Sequence, residues 1–155
     1  TIAISGWKSE SAQARMDNLI TAYYADGTKL DAVLSPNDSL ALGISTSLKN
    51  AGYGTADKPF PIITGQDCDK ANVKLMINDQ QSMSIFKDTR TLAAKVVEMV
   101  DAVLQGKEAP VNDTETYDNG IKKVPSFLCE PVYADKNNYK ELLIDSGYYT
   151  EEDLK

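Results

Sequence analysis

The sequence contains no histidine and only two cysteines, so the side chains that most often hold a transition metal are nearly absent. Cys68 and Cys129 lie far apart in the sequence, whereas metal sites usually show closely spaced pairs. We interpret them as two free, half-buried thiols. A disulfide between them stays open at this point, because spacing alone cannot establish one. The sequence therefore predicts no metal site and no cofactor.

The sequence also lacks the patterns on which most enzymes depend. General acid–base catalysis favours a histidine or a pair of poised carboxylates, and nucleophilic catalysis favours an activated serine or cysteine. No Gly-x-Ser-x-Gly pattern occurs, and both cysteines have acidic neighbours, which blunt the reactivity of a thiol. No glycine-rich phosphate-binding loop occurs either, which disfavours phosphorylated ligands. We therefore predict that the protein is not an enzyme.

No run in the sequence approaches the roughly 18 apolar residues that a membrane-spanning helix needs. The net charge is −7 and the basic residues are scattered, so nucleic acid is not expected as a partner.

The chain of 155 residues is long enough for one domain with a core. It opens on a predicted strand, so we expect either a fragment or a targeting segment upstream.

What the sequence does contain is a regular alternation of short apolar runs and amphipathic stretches. Four strands are predicted, over Ile2–Ile4, Asp31–Leu34, Phe60–Thr64 and Ser82–Phe86. A helix is predicted after each strand, over Ser9–Tyr24, Asp38–Ala51, about Lys70–Asn78 and Thr89–Leu104. This alternation predicts an α/β fold, a parallel sheet flanked by helices. The run Asp31–Leu34 is too apolar to alternate, so we expect it to be covered on both faces.

An aromatic or polar side chain follows each predicted strand shortly after the strand ends. These side chains are Trp7, Asn37, Asp67 and Lys87. Ligands of parallel α/β sheets bind just beyond the carboxyl ends of the strands. An indole, an amide, a carboxylate and an ammonium group suit a small neutral polyol. We therefore predict one binding site for a sugar-like ligand at this edge of the sheet.

The aromatic and the acidic side chain have the clearest roles, and each has an alternative. Trp7 offers a flat face on which the C–H face of a pyranose ring can stack, the alternative being a core tryptophan. Asp67 can accept charge-assisted hydrogen bonds from two hydroxyl groups, the alternative being the N-cap of the third helix.

The remaining two side chains supply further hydrogen bonds. Asn37 can accept from one hydroxyl group and donate to its neighbour, the alternative being a turn residue. Lys87 would donate to ring or hydroxyl oxygens, with Asp67 as a charge partner, the alternative being a surface lysine. We assign Asp38 to capping the second helix.

Several phrases, taken together and in order, resemble the carboxyl-terminal half of a type I periplasmic monosaccharide-binding protein. They are Gly6-Trp-Lys, Ala14-Arg-Met16, Asp31-Ala-Val-Leu-Ser-Pro-Asn-Asp38, Thr64-Gly-Gln-Asp67, Ile85-Phe-Lys-Asp-Thr89 and Val124-Pro-Ser126. The resemblance covers the whole chain. It is closest to the xylose-binding and multiple-sugar branch, because many ribose- and glucose-type relatives carry an amide at the position of Lys87.

The resemblance implies a protein of two three-layer αβα lobes that clamp a sugar, of which this chain is only a part. Residues 1–87 would form most of the second lobe, residues 88–123 would return to the first lobe, and residues 124–155 would hold the final crossing strand and helix. The fourth helix would normally pack on the missing lobe. We therefore expect the stripe of Leu92, Val96 and Met99 to be exposed or to drive self-association of the isolated chain.

The resemblance also implies partners and a location. The ligand would be a monosaccharide of the xylose, glucose, galactose or arabinose class, passed to an ABC permease, with a chemoreceptor as a second candidate partner. The location would be extracytoplasmic, in the periplasm or lipid-anchored at the outer face of a Gram-positive membrane. The alternative is the effector-binding domain of a sugar-responsive LacI-type repressor, which would require an upstream helix-turn-helix. The phrase Thr64-Gly-Gln-Asp67 favours the transport branch.

Overall fold

A computed structural model describes residues 3–155 of the chain. Within that range the α-helices are α1 (Ser9–Tyr23), α2 (Asp38–Asn50), α3 (Lys70–Ile77) and α4 (Thr89–Leu104). The strands are β1 (Ala32–Val33), β2 (Ile62–Ile63), β3 (Ser84–Phe86) and β4 (Val132–Ala134). Short helical turns cover Ser5–Trp7, Lys140–Asp145 and Glu152–Leu154. The predicted α/β fold class is confirmed, and each predicted helix lies where the sequence pattern places it.

The strands form two short ladders that a single bridge connects. Strand β1 pairs with β2 in parallel, and β3 pairs with β4 in antiparallel orientation. A parallel bridge between Gln66 and Ile85 links the segment after β2 to β3. The carboxyl ends of β1, β2 and β3 therefore point the same way, which is the arrangement that the predicted site requires.

The chain divides into two compact units, the first reaching Phe86 and resuming at Val132, and the second covering Lys87–Pro131. Two apolar clusters form the core of the first unit. One joins α1, α2 and β2 through Met16, Ala41, Leu48, Tyr53 and Ile63. The other joins α3, β3, β4 and the last turns through Cys68, Val73, Met76, Phe86, Ala134 and Leu143.

A glycine allows α1 and α2 to approach each other closely. A Cβ atom on Gly43 would lie 2.1 Å from the backbone oxygen of Ser9, much closer than any real contact. Any larger residue at this position would force the two helices apart and loosen the apolar cluster between them.

The second unit contains α4, which has no buried residue. Asp88 caps this helix, because its Oδ1 accepts a hydrogen bond of 2.9 Å from the backbone N–H of Arg90. The rest of the unit is irregular, with antiparallel bridges at Asp113–Ser126 and Asp118–Lys123. Of the stripe predicted to be exposed, Leu92 and Val96 are exposed, at 37% and 58%, whereas Met99 is half-buried.

Two predictions about strands need correction. The predicted strand Ile2–Ile4 begins outside the described residues, and Ala3 and Ile4 do not pair as a strand. The expectation that Asp31–Leu34 is covered on both faces is wrong, because Leu34 is 88% exposed. The helices α1 and α2 pack together on one face of β1 and β2, and alternate side chains therefore point to an uncovered face.

Both cysteines are free thiols, as interpreted from the sequence, and Cys129 is half-buried, but Cys68 is fully buried. Burial raises the pKa of the Cys68 thiol to about 12. Among residues 3–155, no helix has the length and apolar character needed to cross a lipid bilayer.

Candidate functional site

Trp7 lies in the turn Ser5–Trp7, immediately before α1. Gly6 and Trp7 both adopt positive φ angles, 65° and 53°, which turn the chain sharply here. The Trp7 side chain is 61% exposed, so the alternative of a core tryptophan is wrong. Trp7 lines a groove of about 460 Å³. The groove is mainly apolar, with lining residues that include Met16, Leu19, Val33, Leu34, Pro36 and Leu40.

Asn37 is the N-cap of α2, so its side chain has a structural role, close to the turn role that was the alternative to ligand binding. Its Oδ1 accepts a hydrogen bond of 3.1 Å from the backbone N–H of Leu40. The side chain is half-buried, and no other described residue hydrogen-bonds to its Nδ2. Capping fixes the orientation of the amide and leaves this N–H₂ group able to donate to a ligand.

The assignment of Asp38 to capping is wrong, because Asn37 performs that function one residue earlier. Asp38 is completely buried at the start of α2. Its Oδ1 accepts hydrogen bonds of 2.9 Å from both Gln81 Nε2 and Ser84 Oγ. Its Oδ2 accepts one of 2.8 Å from the backbone N–H of Asp69. Burial raises the pKa of Asp38 to about 6, although the hydrogen bonds from Gln81 and Ser84 oppose the shift.

Asp67 lies in the turn that follows β2, half-buried and with a φ of 106°. Its backbone N–H donates a hydrogen bond of 2.8 Å to the carbonyl oxygen of Ile85 in β3. The alternative role of Asp67 as the N-cap of α3 is wrong, because the helix begins at Lys70 and Asp69 precedes it. The carboxylate therefore lies in a strand-end turn, where the sequence predicts a ligand-binding group.

Lys87 follows the last residue of β3 directly along the chain and is half-buried. It is the first residue of the second unit. Strand β3 runs parallel to the segment that carries Asp67, as the Gln66–Ile85 bridge requires.

The turns that carry Asn37 and Asp67 are joined to each other by direct hydrogen bonds. The backbone N–H of Asp38 donates to the carbonyl oxygen of Gln66 at 2.9 Å, and the Asp38 carboxylate holds Asp69. Trp7 and Pro36 line the same groove, but neither Asn37 nor Asp67 does. The structure thus joins the turns of Asn37 and Asp67, and the convergence of Trp7 with them stays a prediction.

Sequence reasoning missed the buried polar cluster beneath these turns. It consists of Asp38, Asn72, Gln81 and Ser84, all buried. The amide of Asn72 donates to Gln81 Oε1 at 2.7 Å and to the carbonyl oxygen of Asp38 at 2.8 Å. Scattered polar residues carry no periodic signal, so nothing in the sequence marked them as a group.

Among residues 3–155, no cluster of acidic or cysteine side chains has the geometry of a metal site.

A comparison with protein families identifies the fold that these turns belong to. The periplasmic binding protein domain matches residues 1–108. The chain belongs to this family. A multiple sugar-binding periplasmic receptor of Rhizobium radiobacter is 53% identical over 96% of the chain and 42% of its own length. A D-xylose-binding periplasmic protein of Escherichia coli is 36% identical over 97% of the chain and 43% of its own length.

Solved structures of solute-binding proteins agree with the described fold. An ABC transporter solute-binding protein from Clostridium phytofermentans, with bound β-D-glucose, is 64% identical, with a TM-score of 0.91. The match covers 99% of this chain and 46% of that chain. A carbohydrate transporter solute-binding protein from Chloroflexus aurantiacus, in complex with D-glucose, is 35% identical with a TM-score of 0.82. The match covers 96% of this chain and 42% of that chain. The chain thus spans less than half the length of these relatives.

Proposed function

We propose that this chain supplies most of the second lobe of a monosaccharide-binding protein that serves an ABC importer. The observation that carries the proposal is the joining of two strand-end turns. Asn37 and Asp67 follow parallel strands, and Asp38 joins their turns by donating from its N–H to Gln66 and accepting at its carboxylate from the Asp69 N–H. The relatives with bound glucose support a sugar of the same class as the ligand.

Four side chains would contact the sugar, each through different chemistry. The Asp67 carboxylate would accept hydrogen bonds from two hydroxyl groups, and Asn37 Nδ2 would donate to a third. The exposed indole of Trp7 would stack on the C–H face of the ring. Lys87 would donate to a ring or hydroxyl oxygen. A carboxylate and an ammonium group together favour a ligand without net charge.

The division of the chain follows from the same proposal. Residues 1–87 form most of the second lobe, residues 88–123 return to the first lobe, and residues 124–155 provide the final crossing and the last helical turns. The exposed apolar face of α4 supports this division, because a helix with no buried residue needs a covering surface. In the full-length protein the first lobe provides that surface.

The protein would act outside the cytoplasm as a binding module and not as an enzyme. Closure of two lobes around the sugar creates the shape that an ABC permease reads, so the work requires no bond to be made or broken. The names of the relatives support a periplasmic location. They favour this function over the effector-binding domain of a LacI-type repressor.

The test is sugar binding by the full-length protein, measured by titration calorimetry with D-glucose and D-xylose. Asp67→Asn keeps the size of the side chain but removes the charge, so we expect affinity for the bound sugar to fall roughly a hundredfold. Asp57→Asn, the same change on an exposed surface turn, should leave affinity unchanged. Equal affinities for the wild-type protein and Asp67→Asn would remove Asp67 from the site, and absence of monosaccharide binding would overturn the function.

A further inference from the structure

The turn that carries Asp67 is held by hydrogen bonds at almost every residue. Gln66 accepts at its carbonyl oxygen from the Asp38 N–H, and Asp67 donates from its N–H to Ile85. The Cys68 N–H donates to Ser84 Oγ at 3.1 Å, and its carbonyl oxygen accepts from the Tyr149 hydroxyl at 3.0 Å. These contacts surround Asp67 on both sides along the chain.

This turn needs such anchors because its backbone is strained. Asp67 and Cys68 have φ angles of 106° and 54°, a region that residues other than glycine rarely occupy. Such a conformation is strained and persists only where the surroundings enforce it. Without the anchors, the turn would relax and the Asp67 carboxylate would point elsewhere.

Asp38 contributes to this anchoring through its backbone N–H, which donates to Gln66, and through its side chain. Its carboxylate accepts from the Asp69 N–H directly, and it accepts from Ser84 Oγ, which in turn holds the Cys68 N–H. The contact is tight, since a Cβ atom on Gly65 would lie 2.1 Å from Asp38 Oδ1. Only glycine fits at position 65, because any side chain there would overlap the Asp38 carboxylate.

We propose that Asp38 is a positioning residue for sugar binding, whose buried carboxylate holds the 65–69 turn so that Asp67 faces the ligand. The inference rests on the proposed role of Asp67 and extends it to a side chain that is fully buried and touches no ligand. A neutral asparagine in its place has one acceptor oxygen instead of two and adds two donors. It cannot satisfy the Asp69 N–H and the Gln81–Ser84 pair together, so the turn loses an anchor.

A double-mutant cycle in the full-length protein separates positioning from a general loss of stability. The affinity for the sugar that the wild-type protein binds is measured for the wild type, Asp38→Asn, Asp67→Asn and the double variant, each at a temperature where it is folded. We expect Asp38→Asn to weaken binding roughly tenfold in the wild-type background. In the Asp67→Asn background it should change affinity less than twofold, because the group that it positions is already disabled.

Two further variants complete the design. Asp135→Asn is a matched control, because Asp135 also accepts from backbone N–H groups, those of Asn137 and Asn138, but lies outside the turn. It should leave affinity unchanged even if it lowers the melting temperature. Ser84→Ala removes the link from Asp38 to the Cys68 N–H and leaves the carboxylate in place, so it provides a milder test if Asp38→Asn does not fold. It should weaken binding about threefold, again only when Asp67 is present.

The possible outcomes distinguish this inference from the function on which it rests. An equal loss of affinity in both backgrounds would mean that Asp38 acts through stability and not through Asp67, which overturns the inference. Full affinity in Asp38→Asn, with a loss in Asp67→Asn, would overturn the inference alone. Full affinity in Asp67→Asn would overturn the proposed contact itself and the inference with it.

Discussion

Helices α2 and α4 have similar apolar patterns in sequence but opposite environments in the folded chain. Helix α2 buries seven residues, namely Asp38, Leu40, Ala41, Gly43, Ser45, Ser47 and Leu48. Helix α4 buries none, although its apolar stripe is the more regular of the two. The pattern therefore tells which face of a helix requires cover, and the fold decides whether the same chain provides it.

The acidic residues at the start of the two helices show the same contrast. Asp38, the first residue of α2, is buried and has its pKa raised to about 6 by that burial. Asp88, just before α4, pairs with Arg90 at 2.7 Å, and hydrogen bonds from that residue lower its pKa. One helix is thus built into a core with a buried polar cluster, and the other is capped as an independent surface element.

The largest expected effect is a difference in the free energy of unfolding between two valine-to-alanine substitutions, one at a buried helical position and one at an exposed position. Val73 in α3 is fully buried, whereas Val96 in α4 is 58% exposed. Val73→Ala should lower the free energy of unfolding by about 2–3 kcal/mol, from lost burial and a small cavity. Val96→Ala should change it by less than about 0.5 kcal/mol, since alanine also favours a helix. Urea unfolding of the 155-residue chain measures both.

A strong destabilisation by Val96→Ala would contradict this expectation. If Val96→Ala destabilised the chain as much as Val73→Ala, the face of α4 would be covered in solution. The unfolding midpoint would then depend on protein concentration, because the cover would have to come from a second molecule.

A smaller effect is expected in the pH dependence of the free energy of unfolding, to which Asp38 and Asp88 contribute differently. Between its ordinary pKa of 3.8 and the raised value of about 6, folded Asp38 keeps a proton that the unfolded chain has released. The free energy of unfolding therefore rises as the pH falls through 6, by about 1 kcal/mol between roughly pH 7.5 and pH 5. Asp38→Asn should lack this gain, as measured by urea unfolding at each pH.

Asp88→Asn is the matched control for this measurement. The lowered pKa of Asp88 means that its contribution is present above the ordinary value and lost only as the pH falls below that range. The variant should therefore keep the gain between pH 7.5 and pH 5. An identical pH dependence in the wild-type protein and in Asp38→Asn would show that the buried carboxylate does not titrate in this range.

The smallest expected effect is a weak self-association of the isolated chain through α4. The exposed stripe of Leu92, Val96 and Val100 has no covering surface within the helix's own unit. We expect sedimentation velocity to show a concentration-dependent rise in mass that Val96→Lys abolishes. Ala94→Lys adds the same charge on the opposite face of α4 and should have no effect. A chain that stays monomeric at every concentration would contradict this prediction.

The order of the elements could be predicted from the sequence because each helix has its own periodic pattern and end signals. The pattern of Thr89–Leu104 gives the bounds of α4 without error. The strands could not be delimited as well, because pairing with a neighbour defines a strand, and β1 and β2 are each only two residues long. The antiparallel pairing of β4 depends on a return of the chain that no local pattern encodes.

For the candidate site, the sequence predicted the strand-end turns but not what holds them. Asn37 and Asp67 lie where the strand–turn–helix pattern places them, and the relation between parallel strands explains why. The roles of Asp38 and its partners required the fold. Asp38 and Ser84 are distant in sequence and meet only when β3 packs beside the start of α2. A single sequence gives no indication of such a pairing.

The central claim is that the side chains that follow the strands of this chain bind one monosaccharide. A crystal structure of the full-length protein with D-glucose tests it most directly. The account predicts two sugar hydroxyl groups within hydrogen-bond distance of the Asp67 carboxylate, with the ring stacked on Trp7 and with Asn37 and Lys87 in contact. A sugar bound elsewhere, with no contact to Asp67 or Trp7, would contradict it.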